Sequence, residues 1–155
     1  MDRPASRERI RVGTDLCSVD AVAESVATFG DRYLRRVYTE HELEYCGADP
    51  ARSAERLAAR FAAKEAVVKV LRPVDGRPDW RAIEVRRDPS GWCEISLTAA
   101  AAAMAREAEI SSLSVSMSHE DRMANAVVVA MMLEPGDRGA EEGGAEESGA
   151  EGEGQ

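Results

Sequence analysis

The chain has 155 residues, of which 44% are hydrophobic and 32% charged, with a formal net charge of −9. That length suits one domain around a single core, and the acidic balance excludes a global basic field for nucleic acid. No run approaches the roughly 18–20 apolar residues that a membrane-spanning helix needs. Three widely spaced cysteines, Cys17, Cys46 and Cys93, suit neither a disulfide framework nor a zinc knuckle, so a reducing cytoplasm is expected.

The N-terminal stretch 1–8 carries charges with no apolar segment after them and reads as a flexible leader-free end. Ile10 to Leu16 alternates and predicts a short strand that leaves the Asp15 carboxylate at its C-terminal edge. Ser18 is placed to cap a helix to about Thr28, with Val19, Val22 and Val26 on one face. After Gly30, a second helix spans Asp31 to Tyr38, and Arg32, Arg35 and Arg36 share its polar side. Thr39-x-x-Glu42 is a capping box that opens another short helix.

Residues 51–71 give the strongest helical signal. At 100° per residue, Leu57, Phe61, Val68 and Leu71 form one stripe, and Ala59, Ala63, Ala66 and Val70 form a second, small-residue face. Arg72-Pro73 ends the helix. Strands follow at 82–87, 93–97, 113–118 and 126–132, with an alanine-rich helix at 99–109. The pattern predicts an α+β domain over 9–133, with an antiparallel sheet packed on one long central helix plus short helices.

From Glu134 onward, eight acids face one base, a net of −7, which leaves −2 for residues 1–133. This segment holds seven of the twelve glycines and no aromatic residue, and reads as a disordered acidic tail over 134–155.

Read by spacing alone, Glu65 and Lys69 at i, i+4 form a surface ion pair that stabilises the helix by roughly 0.3–0.5 kcal/mol. Asp15 reads as a turn carboxylate. Ser112, Ser114, Ser116 and Ser118 alternate with Leu113, Val115 and Met117, giving a hydroxyl row that ends in His119. The arginine face is a local positive patch.

Taken together, Gly13-Thr14-Asp15-Leu16, the run Phe29 to Leu43, Leu57-Ala58-Ala59-Arg60-Phe61-Ala62-Ala63-Lys64-Glu65-Ala66-Val67-Val68-Lys69 and Ser116-Met117-Ser118-His119-Glu120 resemble the holo-acyl-carrier-protein synthases. The resemblance to these 4′-phosphopantetheinyl transferases covers about residues 9–133. It implies that family's fold and transfer of the phosphopantetheine arm of coenzyme A to a serine of an acyl carrier protein.

By the same resemblance, Asp15 and Glu65 would hold magnesium, Glu65 would accept the serine proton, and Lys69 would assist the departing phosphate. Arg60, Lys64, Ser118 and His119 would bind coenzyme A, and Arg32, Arg35 and Arg36 would dock the acidic carrier protein. A homotrimer with sites between subunits is implied as well. Two positions depart from the family pattern. Ala21 replaces an arginine that meets the carrier protein, and Arg72 to Pro78 replaces a glycine-rich loop. They leave open a weak paralogue that only binds, or a transferase dedicated to a polyketide or peptide-synthetase carrier.

Overall fold

The computed structural model describes residues 9–133; the expected flexible N-terminus at 1–8 and acidic tail at 134–155 lie outside the described residues. The elements run β1 (Ile10–Ser18), α1 (Val19–Phe29), α2 (Asp31–Val37), α3 (Glu40–Gly47), α4 (Ser53–Leu71), β2 (Ile83–Arg87), β3 (Cys93–Leu97), α5 (Ala99–Glu107), β4 (Ile110–Glu120) and β5 (Met123–Met132). The expected α+β class holds, with every strand pair antiparallel. The strands nevertheless divide into two sheets, β1-β5-β4 and the hairpin β2-β3.

The long helix α4 is central because its surface is small. Ala58, Ala62, Ala63 and Ala66 are fully buried, as are Ala124, Ala126 and Ala130 on the inward face of β5. Small residues on both sides let helix and sheet approach closely, so apolar area leaves water without large side chains. Gly13 marks the tightest point, since a Cβ there would sit 2.1 Å from the Ala66 carbonyl oxygen. No other residue type fits.

From Leu57 to Leu71, α4 exposes only Phe61, Glu65 and Lys69, a single line at i, i+4, i+8. The sequence stripe therefore needs one correction: Phe61 belongs to this open line and packs on Trp80, ring centroids 5.4 Å apart. Strand β1 also differs from expectation. It continues past Asp15 to Ser18, paired throughout with β5, so Asp15 lies within the strand on the inward-facing set with Gly13 and Cys17. Ser18 then caps α1 by accepting from the Ala21 amide at 3.3 Å.

Candidate active site

The open line of α4 meets β1. Because Gly13 seats the strand on Ala66, the next inward residue, Asp15, comes beside the last turn of the helix. Lys69 Nζ donates to Asp15 Oδ1 at 2.9 Å and to the Thr14 carbonyl. Glu65 does not pair with Lys69, as i, i+4 spacing had predicted. Its Oε1 instead accepts from Arg77 at 3.3 Å, and the Arg77 guanidinium lies 5.3 Å from the Trp80 ring centroid. Burial pushes the Cys17 thiol up to about 11, and the negative charges of Asp15 and then Glu65 push the same way.

Asp15 and Glu65 thus supply two hard oxygen donors to one neighbourhood, each balanced by a cation. That donor set fits magnesium, which takes one or two protein carboxylates and completes its shell with water and phosphate oxygens. Among the described residues, no group of three or more His, Cys, Asp or Glu gathers into a metal cage.

Arg36 of α2 and Arg77 line a polar cavity of about 330 Å³ with Asp79 and Trp80. Arg36 of the α2 arginine face thus shares a cavity with Arg77, the partner of Glu65. Arg32, Arg35 and Arg36 are all exposed, and Arg35 pairs with Glu40 at 3.0 Å.

A second cavity, also about 330 Å³, opens elsewhere along α4 and is lined by Arg60, Ser118 and His119 together with Arg52, Arg56 and Arg87. Ser118 and His119 reach it from opposite faces of β4, an edge strand: Ser118 is opposite Asn125, and His119 opposite inward-facing Ala124. His119 Nδ1 lies 4.0 Å from Glu55. Arg60 is 3% exposed, its guanidinium sits 4.2 Å from the Tyr45 ring centroid, and its Nε has no hydrogen-bond partner. Arg60 and Glu65 are about 140° apart around the helix and ~7.5 Å apart along it. The arginine cavity and the carboxylate cleft therefore face different directions.

Lys64 does not belong to either. The sequence placed it among the coenzyme A ligands, but its side chain has no exposed surface and its ammonium is fully engaged. Nζ pairs with Glu42 Oε2 at 2.8 Å and donates to the carbonyls of Trp80, at 2.8 Å, and Ile83. Glu42 in turn accepts from the amides of Thr39 and Val85, both at 2.9 Å. Burial pushes the Lys64 ammonium below its ordinary value, against the opposing pull of Glu42. The pair fastens α3, α4 and the start of β2 together.

Sequence reasoning missed several contributors to the arginine cavity, among them Tyr45, Arg56, Arg87 and Trp92. Arg56 and Arg60 both lie over the Tyr45 ring, and Arg87 donates to its hydroxyl at 3.0 Å. They come from α3, α4, β2 and the β2–β3 turn and share no local motif. The one available signal was Arg56 standing at i, i+4 with Arg60.

Residues 11–128 match the model of the 4′-phosphopantetheinyl transferase superfamily. A holo-[acyl-carrier-protein] synthase of Koribacter versatilis is 38% identical over 118 residues, spanning 76% of this chain and 94% of the relative. One from Herpetosiphon aurantiacus is 41% identical over 126 residues, spanning 77% and 96%. The crystal structure of the Helicobacter pylori holo-[acyl-carrier-protein] synthase in complex with coenzyme A superposes with a TM-score of 0.67 at 28% identity, covering 77% of this chain and 99% of that one.

Proposed function

The chain belongs to the 4′-phosphopantetheinyl transferase superfamily, and from that premise we propose that it is a magnesium-dependent holo-[acyl-carrier-protein] synthase. It transfers 4′-phosphopantetheine from coenzyme A to a serine of an acyl carrier protein and releases adenosine 3′,5′-bisphosphate. The observation that carries this reading is the exposed line of α4, where Lys69 meets Asp15 one helical turn beyond Glu65.

Attack of a hydroxyl on a pyrophosphate is limited by charge repulsion and alignment rather than by any need for a protein nucleophile. The serine oxygen forms the new bond to phosphorus as the bond to the bridging oxygen breaks. Glu65, partly exposed in the cleft, takes the serine proton. Lys69 neutralises charge developing on the departing bisphosphate, and Asp15 fixes its position. Magnesium, held by Asp15 and Glu65, would supply further neutralisation of the pyrophosphate oxygens.

Arg60, Ser118 and His119 hold the nucleotide end of coenzyme A, and Arg32, Arg35 and Arg36 dock the carrier protein beside the cleft. Because the two halves of the site face different directions from α4, a neighbouring subunit completes each site in a homotrimer. Support comes from the outer face of the β1-β5-β4 sheet, where Ile10, Val12, Leu16, Met123 and Met131 are exposed. Among the described residues, no helix is long and apolar enough to cross a membrane, and the proposed setting is fatty-acid synthesis in the cytoplasm.

The test is to incubate the protein with apo carrier protein, coenzyme A and magnesium and to weigh the carrier by mass spectrometry. Gain of one phosphopantetheine, abolished by a chelator, is expected. An unmodified carrier that still binds the protein would favour a non-transferring paralogue, to which Ala21 and the 72–78 loop point.

A further inference from the structure

The indole of Trp92 is 75% exposed at the mouth of the arginine cavity, where water would otherwise drive so large an apolar ring inward. Its backbone is firmly held. The turn between β2 and β3 closes with the Asp88 amide donating to the Trp92 carbonyl at 2.9 Å and the Trp92 amide donating to Asp88 Oδ1 at 3.1 Å. The Gly91 amide also donates to the Asp88 carbonyl at 3.0 Å, and Gly91 itself takes a φ of +98° that a side chain would strain.

The turn is also tied to the charges below it. Arg87, at the end of β2, reaches the hydroxyl of Tyr45, the ring on which Arg56 and Arg60 lie. The cavity gathers the guanidiniums of Arg52, Arg56, Arg60 and Arg87, and nearly buried Arg60 has an Nε without a hydrogen-bond partner. A ligand that satisfies both features carries an anion for the guanidiniums and a flat ring for the rim.

We propose that Trp92 is a base-stacking residue that receives the purine of a nucleotide whose phosphate lies on the arginines of this cavity. The proposal rests on the nucleotide-end reading of the cavity given above. It adds a specificity-determining residue, because guanidiniums alone hold phosphates of any origin, whereas an indole platform selects ligands that carry a base.

The full chain, Trp92→Phe and Trp92→Ala are titrated with adenosine 3′,5′-bisphosphate by isothermal calorimetry, and with ribose 5-phosphate by following its phosphorus resonance. Trp92→Ala should weaken the bisphosphate at least about tenfold, Trp92→Phe should recover most of that loss, and ribose 5-phosphate should change by less than about twofold. Unchanged bisphosphate affinity in Trp92→Ala overturns the proposal. So does an equal loss for both ligands, which would make Trp92 a support for the turn. Failure of the nucleotide-end reading looks different: the unaltered chain then binds no bisphosphate at all, and the stacking role falls with it.

Discussion

Lys69 and Asp15 stand 54 residues apart in sequence and are joined Nζ to Oδ1 at 2.9 Å. Helix and strand are held in that relation by the Gly13–Ala66 contact rather than by the pair, because the Lys69 side chain is half exposed. Exposed pairs contribute about 0–1 kcal/mol. Lys69→Ala should therefore fold normally and lose at least about 100-fold in turnover, with coenzyme A affinity little changed, since its role is in the transition state. Parallel losses of turnover and coenzyme A binding would make Lys69 a ground-state ligand.

Glu65→Gln keeps the shape of the side chain while removing a negative charge and the base. The rate of carrier modification at saturating magnesium should fall by at least about 100-fold, within the span of general-base contributions. Its partner Arg77 is well exposed, so the thermal midpoint should barely move. Near-normal turnover would refute the assignment of Glu65.

Lys64 and Glu42 are an internal pair with no exposed side-chain surface. Removing one partner strands the other, which typically costs about 3–5 kcal/mol. Lys64→Met should show that loss in urea unfolding, and the double variant with Glu42→Gln should recover part of it. Were Lys64 a phosphate ligand, Lys64→Met would instead lose coenzyme A affinity at nearly normal stability.

The class of the fold and the order of its elements were legible because both follow from local periodicity and caps. Thr39 and Glu42 form the capping box that the spacing predicted. What periodicity cannot carry is the partner that arrives from elsewhere in the chain. At 100° per residue, Lys64 falls about 20° from Leu57, within the apolar stripe of α4. Nothing nearby in sequence announced the carbonyls of Trp80 and Ile83 that receive it. The capping box accounts for Glu42 locally, so nothing in the sequence points to its second role with Lys64 and the Val85 amide. Glu65 and Lys69 were found by their spacing and then mispaired, because their true partners lie on β1 and on the loop after α4.

Alkaline pH should weaken the fold through Cys46. Burial pushes its thiol from 9.0 up to about 11, with Arg60 pulling down and Glu42 pushing up to smaller extents. The folded state thus holds the proton after the unfolded chain has released it. The resulting stabilisation is complete below pH 9, shrinks as pH rises toward 11 and is absent above it. That rise corresponds to at most about 2–3 kcal/mol. Between pH 8 and pH 11 the unfolding free energy of the native chain should fall by about 2 kcal/mol more than that of Cys46→Ala, whose packing difference is the same at both pH values. A pH slope identical in both proteins would show that Cys46 does not titrate in this way.

Removal of residues 134–155 takes away a net charge of −7. The carrier protein proposed as partner is acidic, so this charge should repel it or compete for Arg32, Arg35 and Arg36. The shortened chain should associate with carrier faster at low salt. The gain should fade near 0.15 M ionic strength, where screening acts over about 8 Å. Stability and coenzyme A affinity should stay the same, because the segment contains no apolar residue larger than alanine apart from one proline. The comparison to make is the KM for carrier protein at two salt concentrations, with and without the segment. An identical KM at low salt in both proteins would show that these charges do not act on the encounter.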